Sequence, residues 1–154
     1  MEKQQKTLIR AGAIQKLASV ESKSELFSFN IFVQGCKRRC RGCSNPQFQP
    51  FDGGTEMTVE EIFEPLKKRL DWYSQFTVIG GEPLLQPGGL KELLIQAKEL
   101  GLETFVYTGY ELEDVPKDIL ELCTYIKTGE YKEELKTPNA ETASSNQTLH
   151  RLND

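Results

Sequence analysis

Four short apolar stretches, each closed by glycine or polar residues, set the rhythm of this chain. Residues 27–34 (FSFNIFVQ) are rich in β-branched and aromatic side chains and predict a buried strand; 75–79 (QFTVI), 104–107 (TFVY) and 125–127 (YIK) predict three more. Helical patterns lie between them. Thr58-Val-Glu-Glu61 reads as a capping box, and Val59, Ile62, Phe63, Leu66 and Leu70 follow at helical spacing, with Pro65 expected to kink or break the helix. Leu90, Leu93, Leu94 and Ala97 form a second apolar stripe that Gly101 closes, and 116–122 reads as a short helix with Pro116 in its first turn. Strands alternating with helices imply parallel strands joined by right-handed crossovers. The chain is too short for a complete eight-stranded barrel. The expected fold class is therefore α/β, a truncated, open (β/α) partial TIM barrel with a parallel sheet, forming a single domain over 1–154.

Charge and composition narrow the partners. A net charge of −4 argues against a nucleic-acid binder held by phosphate contacts. No apolar run approaches the roughly 18 residues of a membrane helix. The opening MEKQQKTLIRAGAIQKL has no apolar signal region, so a cytoplasmic protein is expected, with neither nucleic acid nor membrane as partner. The cysteines are unevenly placed: Cys36, Cys40 and Cys43 fall within eight residues, and Cys123 lies far downstream. Clustered thiols in a cytosolic chain point to metal or redox chemistry, not to a disulfide framework.

Cys36-Lys-Arg-Arg-Cys40-Arg-Gly-Cys43 is a C-x3-C-x2-C spacing inside a long Gly- and Pro-punctuated loop, 35–57, that follows the first predicted strand. A [4Fe–4S] cube normally takes four cysteines, so three on one loop leave one iron open for chemistry. A zinc site completed by Cys123 or His150 is the alternative use of the same thiols. Gly80-Gly81-Glu82-Pro83 follows the second strand. Its glycines admit close backbone approach, and Glu82 can accept from an ammonium, although alone the segment would read as a strand-ending turn. Lys37, Arg38, Arg39 and Arg41 make the loop basic. They read either as a solvated face or as groups that relieve cluster charge and dock an acidic electron carrier. Cys123 reads as a small buried hydrophobe, and the Glu/Lys-rich stretch 130–136 as a solvated surface segment.

The cysteine triplet after one strand and Gly-Gly-Glu-Pro after the next resemble the radical S-adenosylmethionine superfamily. Phe32-Val33-Gln34-Gly35-Cys36 and Gly42-Cys43-Ser44-Asn45-Pro46 resemble its small activating proteins of anaerobic ribonucleotide reductase, as do Tyr107-Thr108-Gly109-Tyr110, the segment 126–131, and Ser144-Ser145-Asn146-Gln147 with Leu149 and Arg151. The resemblance spans roughly 8–152 and departs at 19–25, where many members are glycine-rich, and at Thr128, where many are acidic. It implies a [4Fe–4S] cluster on Cys36, Cys40 and Cys43, and S-adenosyl-L-methionine bound by Gly80, Gly81, Glu82, Asn45, Tyr107 and Thr108. It also implies reductive cleavage to a 5'-deoxyadenosyl radical and formation of a glycyl radical on anaerobic ribonucleotide reductase. A flavodoxin-like electron donor would supply the electron. Asn146 and Gln147 are expected to serve the target protein. Two alternatives remain open at this point: a small-molecule enzyme of the superfamily such as 7-carboxy-7-deazaguanine synthase, and a non-enzymatic iron–sulfur or zinc module.

Overall fold

A computed structural model of the chain describes residues 7–18, 26–38, 40–43, 45–138 and 142–153. Among them seven strands form one sheet in the order β3-β1-β2-β4-β5-β6-β7. Its centre is the predicted parallel set: β2 (Phe27–Val33), β4 (Tyr73–Gly80), β5 (Glu103–Tyr107) and β6 (Tyr125–Thr128). Three helices supply the crossovers: α1 (Val59–Lys67), α2 (Pro87–Glu99) and α3 (Lys117–Leu120). The sheet's two edges, β3 (Thr55–Thr58) and β7 (Thr148–Arg151), do not pair with each other, so it is open, as a partial barrel requires.

The flanking strands were not predicted. β1 (Leu8–Ala18) runs antiparallel to both β2 and β3, and β7 runs antiparallel to β6. Within β1 the buried residues are Ile9, Ala11 and Ala18, with Gly12, Gln15 and Lys16 between them, too sparse an apolar pattern to announce a strand. Its place comes from the long pairing with β2 instead. The loop expected over 35–57 also gives up its end, because β3 takes Thr55, Glu56 and Met57 into register with β1.

Packing explains why the predicted elements form. Phe29, Ile31, Val33, Phe76, Val78, Val106 and Ile126 alternate along the parallel strands toward one face, where Ile62, Phe63 and Leu66 of α1 and Leu90, Leu93 and Leu94 of α2 cover them. All of these are fully buried, and Phe63 stacks on Phe76 at 4.8 Å. The capping box is present: Glu61 N–H donates to Thr58 Oγ1 at 3.1 Å, and Thr58 N–H to Glu61 Oε1 at 3.0 Å. The helix passes through Pro65 and ends two residues later, at Lys67. Gly101 closes α2, with Leu102 N–H bonded to the Ala97 carbonyl. The other sheet face is polar and aromatic. Ser28 Oγ meets Thr77 Oγ1 at 2.9 Å, Gln75 Nε2 donates to Thr77 Oγ1, and Phe105 packs against Tyr107 and Tyr125. No helix among the described residues is long and apolar enough to cross a membrane.

Candidate functional site: a thiol-lined cleft at the strand ends

The C-terminal ends of β2, β4, β5 and β6 face a cleft of about 220 Å³. It gathers every residue that sequence reasoning placed in the site: Cys36, Cys40, Cys43, Asn45, Gly80, Gly81, Glu82, Tyr107 and Thr108 all line it. Ligand sites in α/β folds lie at this edge, where the loops leading from strand to helix gather. Gly109, Lys127, Gly129, Tyr131 and Gln147 are also part of the wall. Lys127 was missed as a side chain; its Nζ sits 4.2 Å over the Tyr107 ring, a pairing that only the β5–β6 register reveals.

The loop that carries the thiols is held by backbone bonds across its own base and by side chains outside it. Gly35 N–H donates to the Phe48 carbonyl at 2.7 Å and Cys36 N–H to that of Gln49 at 3.0 Å. Gln34 Nε2 donates to the carbonyls of Gln47 and Pro50, Arg10 Nη1 to those of Gly53 and Gly54, and Gln86 Nε2 to those of Arg10 and Gln34. Gly80, at φ 110°, ends β4 directly against β2. A β-carbon there would stand 2.6 Å from Val33 N and 2.7 Å from Val33 O, so a side chain would part the two strands.

Glu82 is 2% exposed, and protein donors occupy its carboxylate. Gly109 N–H donates at 2.8 Å, Leu84 N–H at 3.0 Å, and the Thr108 hydroxyl reaches both oxygens at 2.9 and 3.0 Å. Burial raises its pKa above the ordinary carboxylate value, and these bonds with the Arg38 charge hold it back. Thus Glu82 caps the turn Pro83–Leu85 and ties the end of β4 to that of β5 while facing the cleft.

The thiols are half-buried. Burial raises Cys36, against the Arg38 backbone N–H that favours its thiolate. Cys40 is pushed up to about 11, first by burial and then by Glu130, whose Oε1 accepts from its sulfur at 3.6 Å. The stretch 130–136 is therefore not simply solvated surface. Glu130 meets Cys40, Glu133 meets Arg41 at 3.0 Å, and Gly42, at φ 74°, lets Glu133 pack where a β-carbon would lie 2.9 Å from its carboxyl carbon. Gln147 is a clip: its side chain accepts from Ala143 and Ser144 N–H and donates to the Gly129 carbonyl. Cys123 is fully buried in the core, its pKa pushed up to about 12 by burial, and His150 bonds Thr128 at 3.0 Å. Neither lines the cleft, so neither completes a zinc site there. The departure at 19–25 and residues Arg39 and Ser44 lie outside the described residues.

A family model described as a 4Fe-4S single cluster domain matches residues 27–150, from the first parallel strand into the last edge strand. The chain belongs to this iron–sulfur family. Among its relatives, the anaerobic ribonucleoside-triphosphate reductase-activating protein of Enterobacteria phage T4 is 30% identical over 77% of this chain and 80% of its own. That of Haemophilus influenzae is 29% identical over 79% and 86%. The pyruvate formate-lyase-activating enzyme of Clostridium pasteurianum is 39% identical over 52% of this chain and 36% of its own. The chain spans 40% or less of the length of the first pyruvate formate-lyase-activating enzymes it matches. QueE from Escherichia coli, at 15% identity and a TM-score of 0.58 over 79% of this chain and 70% of that one, shares the fold. Membership in the radical S-adenosylmethionine superfamily follows, and with it the cofactors, a [4Fe–4S] cluster and S-adenosylmethionine. The donor set fits them. Three thiols face the cleft from one loop, one short of the four that fill a cube. Glu82 and the backbone of Gly80 and Gly81 stand beside them.

Proposed function

We propose that the chain is a cytoplasmic activating enzyme, a single radical S-adenosylmethionine domain that makes a glycyl radical on anaerobic ribonucleotide reductase. The observation that carries this is the meeting of the cysteine loop, the Gly-Gly-Glu turn and the ends of β5 and β6 in one cleft. The likeness to reductase-activating proteins over most of both chains supports the choice of target. When bound, the cluster would supply the one-electron reduction, and S-adenosylmethionine the radical chemistry, that hydrogen abstraction from a glycine requires. Cys36, Cys40 and Cys43 hold the cluster. Glu82 and the Gly80–Gly81 backbone receive the amino group of the methionine end, and Asn45, Tyr107 and Thr108 shape the rest of the pocket. Asn146 and Gln147 act by building the turn beside the cleft mouth. Gln147 Oε1 accepts within that turn while its Nε2 donates to the Gly129 carbonyl, and Asn146 Nδ2 donates to the Glu130 carbonyl. A flavodoxin-like donor reduces the cluster from the side of Arg41, which is 93% exposed.

The test is anaerobic mixing with the reductase of the same organism, S-adenosylmethionine and a strong reductant. A glycine-centred doublet in the spin-resonance spectrum of the reductase is expected. A doublet formed only on a pyruvate formate-lyase would move the target to that enzyme, which the 39% identity to its activators favours as the second reading. Consumption of a deazapurine precursor with no protein radical would replace the activase with a small-molecule enzyme such as 7-carboxy-7-deazaguanine synthase.

A further inference from the structure

Arg38 lies between Cys36 and Cys40, in a run of basic residues that sequence cannot tell apart. The structure separates it from the others. Its side chain is 24% exposed, against 93% for Arg41. Its guanidinium lies 4.4 Å over the Tyr110 ring, and Nη1 stands 4.0 Å from Glu82 Oε1. The stem packs so closely on Gly109 that a β-carbon there would stand 3.0 Å from Nε and 3.1 Å from Cδ. Its backbone N–H serves the Cys36 sulfur.

We propose that Arg38 is a positioning residue, a strut that fixes the cluster loop relative to Glu82 and so sets the spacing between the open iron and the carboxylate that meet the methionine end of S-adenosylmethionine. This rests on reading the cleft as a radical S-adenosylmethionine site. The two anchors belong to different segments, the thiols to the loop after β2 and Glu82 to the turn after β4. Near the start of the loop their backbones are joined, since Glu82 N–H donates to the Gly35 carbonyl at 2.8 Å. Beyond Cys36, Arg38 continues the connection: its backbone touches a cluster ligand, its charge faces Glu82, and its plane is pinned to Tyr110 after β5. A guanidinium can stack and present a charge at once, whereas a lysine ammonium keeps the charge without the flat contact. The pair is weakly screened because Glu82 is almost wholly buried. Arg38 is thereby distinguished from a docking cation, a role left to Arg41.

The test uses Arg38→Met, Arg38→Lys and Tyr110→Leu. In the protein without cluster, alkylation of individual cysteines is followed by mass spectrometry, with buried Cys123 reporting any global unfolding. Arg38→Met and Tyr110→Leu are expected to speed alkylation of Cys36 and Cys40 severalfold while Cys123 stays protected, with Arg38→Lys in between. In reconstituted protein, iron and sulfide should stay at the wild-type level. S-adenosylmethionine affinity, read from its effect on the spin-resonance spectrum of the reduced cluster, should fall about tenfold in Arg38→Met and recover in part in Arg38→Lys. Wild-type alkylation rates and affinity in both Arg38→Met and Tyr110→Leu would overturn the proposal. So would a defect confined to reduction by an acidic protein carrier, which would make Arg38 a docking residue. If Arg38→Met exposes Cys123, the Tyr110→Leu result decides. A wild-type cluster that ignores S-adenosylmethionine would instead sink the cofactor reading, and the alkylation rates would still decide whether the strut exists.

Discussion

Replacing Thr108 by valine tests how Glu82 is held. The two side chains have nearly the same shape, so the change removes a hydroxyl and little packing. That hydroxyl does two things: it donates to the Glu82 carboxylate at 2.9 and 3.0 Å, and it accepts from Tyr110 N–H at 3.1 Å. A hydrogen bond to a charged group contributes about 1.5–3 kcal/mol net, and an amide left unpaired adds a cost on the order of 1 kcal/mol where it is shielded from water. Together, Thr108→Val should lose about 2–4 kcal/mol of stability, whereas Thr108→Ser, which keeps both bonds, should lose about 1 kcal/mol or less. Urea unfolding of the cluster-free protein would read this as a lower midpoint at an unchanged slope. The loss should also depend on pH. The Thr108 bond holds the pKa of Glu82 down against the upward push of burial, so the valine variant raises it further. A bond that favours the carboxylate contributes above the Glu82 pKa, and its contribution fades as pH falls through that pKa and the group is protonated. The gap between wild type and Thr108→Val should therefore narrow in acid. A midpoint within error of wild type at neutral pH, or a gap that widens in acid, would refute this account of Glu82.

Two further outcomes follow from the thiols and the exposed cation. Alanine at Cys36, Cys40 or Cys43 should abolish the roughly four irons per chain that a reconstituted [4Fe–4S] cube carries, whereas Cys123→Ala should keep the iron and lose about 1–2 kcal/mol from the core in a urea melt; loss of iron in Cys123→Ala alone would remove the three-ligand reading. Arg41→Gln should slow cluster reduction by flavodoxin, as raised ionic strength does in wild type, and leave reduction by dithionite unchanged in stopped-flow traces; equal slowing with both reductants would point to an altered cluster potential instead of docking.

What the sequence shows and what it hides divide along physical lines. The parallel strands and crossover helices were legible because their apolar residues are dense and regularly spaced, as in Phe29-Asn30-Ile31-Phe32-Val33 and the Leu90, Leu93, Leu94 stripe. β1 was hidden because Arg10 and Gln15 are placed there by pairing partners elsewhere in the chain, and the pattern carries no trace of those partners. β7 was hidden for the same reason, its four residues being half-buried or exposed. The site was legible through the cysteine spacing and Gly-Gly-Glu-Pro. Four basic residues in one loop looked equivalent, and only the fold separates Arg38, stacked on Tyr110 and largely covered, from solvent-facing Arg41. The contact of Glu133 with Arg41 and Gly42 crosses about ninety residues of chain, a span that local periodicity does not report.

The side chains that brace the cysteine loop bear on how far its shape depends on a bound metal. Gln34 and Arg10 hold the backbone from Gln47 to Gly54, and Gln86 in turn bonds the carbonyls of Arg10 and Gln34, all through bonds that involve neither iron nor sulfide. In small zinc domains the metal supplies the folding energy, and its loss unravels the chain. Here the frame of the loop is carried by the sheet and by these side chains, through bonds that need no metal to form.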